Sequence, residues 1–162
     1  MTNENLNLAN IISEEIIINR DIDWLFDFTQ NFSERKKWDK QTEEIEFFAD
    51  STKLEKGAKV YTKSIEGIKM ETEYLTFNPP TQISIKMLNK SSIFKSFIGT
   101  WYYCESEKGR TTLRITYQFN LRFPYNLVKN KVRKKIRINM TKKLFFLEAY
   151  LDQIENKNVL QH

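Results

Sequence analysis

The chain has 162 residues, of which 40% are hydrophobic, and a formal net charge of +5. This size predicts one globular domain, residues 1–162, with a core large enough to need no disulfide or structural metal. Cys104 is the only cysteine and His162 the only histidine, so an intrachain disulfide is excluded and the usual zinc and catalytic-triad chemistries are largely closed off. We expect no cofactor and no metal. The polar N-terminus and the lack of an apolar run near the ~20 residues that span a bilayer predict a cytoplasmic protein.

The first part of the chain predicts one strand followed by two short helices. β-Branched residues dominate Ala9–Ile18 and favour a strand. Capping residues and apolar spacing predict a helix over Asp23–Phe28, and a second helix is predicted over Ser33–Trp38 with Ser33 as its cap.

The middle of the chain is typical of a meander of antiparallel strands. Turn signals recur about every ten residues, near Gly57, at Gly67 and at Pro79-Pro80. The predicted strands between them are Glu43–Ala49, Lys59–Glu66, Lys69–Phe77 and Gln82–Leu88.

The last third predicts two longer strands and one long helix. Apolar and polar residues alternate along Thr112–Phe123, and Phe97–Glu105 also has an extended pattern. A helix is predicted to begin between Pro124 and Lys131. Its apolar stripe has spacings of three and four, at Val128, Val132, Ile136, Met140, Leu144, Leu147, Leu151 and Ile154. Segregated strands and helices indicate an α+β domain in which the sheet and this helix bury each other.

Six short motifs follow one another in a characteristic order between about residues 8 and 156. They are Asp23–Phe28, Trp38-Asp39, Gly57, Asn78-Pro79-Pro80, Gly99-Thr100-Trp101 and Gly109-Arg110-Thr111-Thr112-Leu113. With these motifs the chain resembles the START-like, or SRPBCC, superfamily, specifically its polyketide cyclase/dehydratase and lipid-transport type. The resemblance implies a helix-grip fold, in which a seven-stranded curved antiparallel sheet wraps around the long C-terminal helix. It also implies two short helices between strands one and two, and a cavity for an apolar or amphipathic ligand.

Strand alternation and the helical stripe predict which side chains face this cavity. Met70, Thr72, Tyr74 and Thr76 share one face of strand four, and Gly99 in strand six leaves space for a neighbour or a ligand. The ligand-binding residues that we predict are Met70, Tyr74, Met87, Trp101, Tyr103, Tyr117, Phe119, Ile136, Met140 and Leu144. The three tyrosine hydroxyls need partners if buried, which a ligand could provide. The alternative is that these residues form an ordinary packed core.

The predicted function is binding of a small hydrophobic or amphipathic molecule, such as a lipid, an isoprenoid or a polyketide-like compound, for transport, sequestration or sensing. A cyclase/dehydratase-type enzyme in the same cavity is the alternative, with Glu66, Glu71 and Glu73 as the carboxylates available for acid–base chemistry. No catalytic residue is assigned, because strand carboxylates usually face water and Cys104 has no histidine to activate it.

The C-terminal helix carries most of the excess positive charge. Opposite its apolar stripe lie Lys131, Lys134, Lys135 and Lys142, with Leu127, Ile138 and Phe145 interleaved among them. This pattern suits either a solvated outer face or an interaction module that docks on an anionic membrane surface or on RNA. Nucleic acid is disfavoured as a partner, because no aromatic stacking surface is evident. The sequence predicts no oligomeric state.

Overall fold

The computed structural model describes residues 10–159. The polar N-terminal residues before position 10 and His162 therefore lie outside the described residues. Within the described part, no helix is long and apolar enough to cross a membrane. The strands are β1 Ile11–Ile18, β2 Thr42–Phe47, β3 Lys59–Ser64, β4 Lys69–Asn78, β5 Gln82–Met87, β6 Phe94–Glu107 and β7 Arg110–Leu121. The helices are α1 Ile22–Gln30, α2 Phe32–Trp38 and α3 Lys129–Val159.

The seven strands form a single antiparallel sheet in the order β1-β7-β6-β5-β4-β3-β2. The strands from β2 to β7 are neighbours in sequence order, and β1 closes the order by pairing with β7. The sheet curves, and α3 buries Met140, Leu144, Leu147 and Leu151 of the predicted stripe. The predicted α+β helix-grip fold is confirmed.

The start of the long helix also agrees with the sequence prediction. A 3₁₀ turn at Tyr125–Val128 follows Pro124 and leads directly into α3 at Lys129. The predicted turns at Gly57 and Gly67 are present, with φ angles of +87° and +82°. Glycine adopts this backbone region readily because it has no Cβ atom to clash with the main chain.

The cap of α2 differs from the prediction. Asn31, not Ser33, caps this helix, because its Oδ1 accepts hydrogen bonds from the backbone N–H groups of Ser33 at 2.9 Å and Glu34 at 3.1 Å. The helix begins at Phe32, one residue earlier than expected. Asn31 is at least as good a cap as serine and also ends α1, so one residue closes one helix and opens the next.

The apolar face predicted by alternation in β7 is confirmed, whereas the predicted face of β4 does not hold to the end of the strand. Leu113, Ile115 and Phe119 of β7 are buried as predicted. In β4 the register against β5 shifts between Tyr74 and Thr76, which places an extra residue in the strand. As a result Phe77, rather than the predicted Thr76, packs on the core.

Candidate functional site

A cavity of about 470 Å³ lies between α2, the sheet and α3. Its volume falls in the range of roughly 300–1,000 Å³ that is common for small-molecule sites. Most of its lining is apolar and comes from the sheet and α3: Ile45, Val60, Met70, Ile83, Ile85, Phe94, Phe97, Trp101, Ile136 and Phe146. The curved sheet and the long helix therefore enclose a ligand-sized, mainly apolar space.

One end of the cavity reaches the protein surface. Exposed residues line it there, among them Ile65 and Glu66 at the tip of the β3–β4 hairpin and Lys142 on α3. Glu66 forms an ion pair with Lys135 of α3, at 3.2 Å between Oε2 and Nζ. A small molecule thus has an entry between the hairpin and the helix.

The predicted ligand-binding residues divide into two groups. Met70, Tyr74, Trp101, Tyr117 and Ile136 line the cavity. Among the others, Tyr103, Phe119, Met140 and Leu144 are buried in the core, and Met87 packs against that core. Contact of any of the ten with a ligand stays a prediction.

The three tyrosine hydroxyls have different surroundings. The Tyr103 hydroxyl is 2.7 Å from Thr29 Oγ1 and accepts a hydrogen bond from Gln30 Nε2 at 2.8 Å, so the protein itself supplies its partners. Tyr74 donates to Gln30 Oε1 over a longer 3.4 Å. Tyr117 lines the cavity, and its hydroxyl has no hydrogen-bond partner among the described residues. Of the three, Tyr117 best fits the expectation of a hydroxyl left for a ligand.

Gly99 places the Tyr117 ring. A Cβ atom at Gly99 would lie 3.3 Å from Cε1 of Tyr117, which is tighter than an ordinary contact. The glycine therefore lets this ring lie close to β6. Burial raises the pKa of Tyr117 to about 12, despite the opposing influence of Arg35, so its hydroxyl stays protonated at neutral pH.

A buried charged cluster, formed by Arg35, Asp39 and Lys143, lies at the wall of the cavity. Asp39 Oδ2 accepts hydrogen bonds from Arg35 Nε at 3.2 Å and from Lys143 Nζ. It also accepts one from Thr42 Oγ1 at 2.8 Å, while its Oδ1 accepts from the backbone N–H of Gln41 at 3.2 Å. The Asp39 side chain is 0% exposed, and the pairings give both its oxygens partners.

The chain positions this charged cluster from two distant segments. Arg35 lies on α2 and Asp39, four residues later, is the C-cap of that helix, a spacing that brings the two side chains together. Lys143 comes from α3, 104 residues later in the chain. The Arg35 guanidinium also lies 5.0 Å from the centroid of the Trp101 ring, which holds it by a cation–π contact.

The electrostatics of the cluster follow from burial and from these contacts. Burial alone would raise the pKa of Asp39, but Lys143 and Arg35 outweigh it and hold that pKa well below its usual range. Burial, reinforced by repulsion from Arg35, lowers the pKa of Lys143 although Asp39 opposes the shift. Burial would also lower the pKa of Arg35, but Asp39 together with Tyr74 and Tyr117 more than offsets this and raises it. Asp39 is thus an anion at neutral pH. Its single negative charge balances only one of the two positive charges beside it.

The sequence prediction missed Arg35 and Lys143 as cavity residues. Both line the cavity, whereas the carboxylates considered for catalysis do so only through Glu66 at the opening. Two signals were present in the sequence: the Arg35–Asp39 spacing on a helix, and the position of Lys143 three residues after Met140 and four before Leu147. A lysine at that position belongs to the inward face of the helix and not to its solvated face.

Comparison with known structures agrees with this architecture. An aromatase/cyclase, Zhui, from Streptomyces sp. R1128 superposes with a TM-score of 0.75 at 13% identity, over 88% of this chain and 93% of its own. A START superfamily protein from Mycobacterium smegmatis gives 0.70 at 13% identity, over 89% and 98% of the two chains. A hypothetical protein from Helicobacter pylori gives 0.73 at 17% identity, over 88% of each chain. At these identities the likeness shows the fold alone.

Sequence comparison assigns the family. None of the curated proteins matches the chain significantly. The family model described as polyketide cyclase / dehydrase and lipid transport matches residues 10–152, which cover α1, α2, all seven strands and most of α3. The chain therefore belongs to the polyketide cyclase/dehydrase and lipid transport family, with a START-like fold.

Proposed function

We propose that this protein binds a small hydrophobic or amphipathic molecule in the cavity between the sheet and α3, for carriage, sequestration or sensing. The observation that carries the proposal is the cavity itself, which is of ligand size, mainly apolar and open at one end. Apolar surface that stays in contact with water is unfavourable, so an apolar guest that displaces that water gains free energy in proportion to the area it covers.

A cyclase-type activity in the same cavity has less support. Asp39 is anionic and saturated with hydrogen bonds, so it is poorly placed to donate or accept a proton. Glu66 is at the opening, where it pairs with Lys135. No histidine occurs among the residues that line the cavity.

Binding can be tested with Nile red, an uncharged apolar dye whose fluorescence rises in apolar surroundings. We expect the wild-type protein to bind the dye with saturation. Ile136→Trp should weaken binding because the larger side chain fills part of the cavity that Ile136 lines. The matched control is Ile138→Trp, on the same helix but 44% exposed and outside the lining, which should bind the dye like the wild type.

Two results would contradict the proposal. One is the absence of saturable dye binding by a folded wild-type protein. The other is equal binding by the Ile136 and Ile138 variants, which would place the dye on the surface. Native mass spectrometry of protein purified from its source organism would then identify any retained molecule by its mass.

A further inference from the structure

The charged cluster at the cavity wall contains more positive than negative charge. Arg35 and Lys143 each carry one positive charge, and Asp39 carries the single negative charge that contacts both, which leaves a net charge of +1. The cluster is shielded from bulk water, since Lys143 is 9% exposed and the Arg35 side chain 16%. A buried charge that lacks a counter-ion is costly, so the surplus cation favours a further anion nearby.

The cluster also contains more hydrogen-bond donors than acceptors. Arg35 uses Nε for Asp39, and among the described residues its two terminal nitrogens have no hydrogen-bond partner. Lys143 uses one of its ammonium hydrogens, also for Asp39. Asp39, in contrast, already accepts from four groups. The unused donors belong to side chains that line the cavity, so they are available to a molecule inside it.

The rest of the lining has the same sign of charge. The other charged residues around the cavity are Lys40, Lys63 and Lys142, with Glu66 as the one acid. Glu66 is paired with Lys135 at the opening, and Lys63 is paired with Glu43 and Glu44. No acid of the lining therefore competes for the terminal nitrogens of Arg35.

From these observations we infer that the ligand is an amphipathic anion whose carboxylate binds Arg35 and Lys143 while its apolar body fills the cavity. This inference rests on the proposed binding function and names the class of ligand. The planar guanidinium matches a carboxylate through two parallel hydrogen bonds, which a point charge such as lysine cannot reproduce. The unpartnered Tyr117 hydroxyl is a further donor on the same cavity surface.

The test compares decanoate with decanol, which share an apolar chain and differ in the head group. Each is titrated by calorimetry and by displacement of Nile red. We expect the wild-type protein to bind decanoate at least about tenfold more tightly than decanol, because hydrogen bonds to a charged group add that much or more.

Variants then locate the carboxylate. Arg35→Gln should weaken decanoate binding about 10- to 100-fold and leave decanol binding unchanged. Arg35→Lys should fall between the two, because it keeps the charge and loses the planar fork. The matched control is Lys36→Gln, which removes one positive charge from the exposed next position of α2 and should change neither affinity. Folding of Arg35→Gln is expected to persist, because Asp39 keeps Lys143, Thr42 and the Gln41 N–H as partners.

Each remaining outcome decides between the two proposals. If Nile red and decanol bind but decanoate binds no more tightly, the inference about the anion is wrong and the binding function stands. If Lys142→Gln weakens decanoate binding while Arg35→Gln does not, the head group lies at the opening and the assignment to Arg35 is overturned. If neither the dye nor either compound binds, the proposed binding function fails as well.

Discussion

Asp39→Asn should strongly destabilise this protein. Asparagine keeps the size of the side chain but loses the negative charge, which leaves Arg35 and Lys143 as two buried cations without a counter-ion. Removing one partner of a buried ion pair costs about 3–5 kcal/mol. At about 2–4 °C per kcal/mol for a chain of this size, the melting temperature should fall by roughly 6–20 °C.

The assay is urea and thermal denaturation followed by circular dichroism, with Asp50→Asn as the control. Asp50 is exposed in the β2–β3 connection, so its neutralisation should change the free energy of unfolding by less than about 0.5 kcal/mol. The double variant Asp39→Asn/Lys143→Met should recover part of the loss, because it also removes one of the stranded cations. If Asp39→Asn unfolds like Asp50→Asn, Asp39 is not the buried counter-ion of Arg35 and Lys143.

The same carboxylate predicts how stability changes in acid. Its pKa in the folded protein is held below the unfolded value of about 3.9, so its contribution to stability is fully present above that value. The contribution is lost as the pH falls through about 3.9 towards the lower folded pKa, because the unfolded chain then binds the proton more readily. Asp39→Asn should therefore show a weaker loss of stability over this acid range than the wild type. Parallel acid profiles for the two proteins would refute the reasoning.

Three further predictions concern the tyrosines, Trp101 and the basic helix. Burial raises the pKa of Tyr74 and of Tyr117 to about 12, so stability should fall between pH ~10 and ~12, where these two side chains ionise only in the unfolded chain. The measurement is the difference in phenolate absorbance between the wild type and the variant Tyr74→Phe/Tyr117→Phe, and a difference that appears at pH 10 without unfolding would contradict this. Trp101→Ala should cost about 3–5 kcal/mol on chemical denaturation, since the ring is 3% exposed and packs on Arg35, and an unchanged midpoint would place it outside the core. The membrane hypothesis predicts that the wild type sediments with anionic vesicles at low salt. Glutamine substitution of four exposed lysines should reduce this binding and leave the fold intact, and a wild type that stays in the supernatant would refute the hypothesis. The four are Lys131, Lys134, Lys135 and Lys142.

The fold could be predicted because its signals are local and repeated. Alternation along β7 fixes one buried face over twelve residues, and the stripe of α3 fixes another between Met140 and Leu151, although Val128, the first predicted member of the stripe, precedes the helix and is 44% exposed. Errors appeared where a single local feature overrides the period. The extra residue between Tyr74 and Thr76 shifts the end of β4 to the other face, and neither residue type announces such a bulge.

The residues of α3 that line the cavity were harder to predict, because most of them lie beside the apolar stripe of the helix and not on it. Ile136 of the stripe lines the cavity, but the stripe residues after it, including Met140, Leu144 and Leu147, form a set that faces the core. The set that faces the cavity is offset from it around the helix and contains Asn139, Lys143 and Phe146. Both sets have spacings of three and four, so the helical period supports either, and apolarity favours the wrong one.

Under the proposed function, the charged cluster serves recognition of an anionic ligand more than stability. Replacing a buried ion pair by well-packed apolar residues is often neutral or stabilising by about 1–4 kcal/mol, so the core has no need of these charges. Stability of the cluster also does not need Arg35, since Asp39 and Lys143 alone balance each other and keep Thr42 and the Gln41 N–H as partners. Arg35 is the member whose loss would leave a neutral, hydrogen-bonded pair and a cluster without its surplus charge. Loss of Asp39 should therefore appear mainly in the free energy of unfolding, whereas loss of Arg35 should appear mainly in the affinity for an anionic ligand.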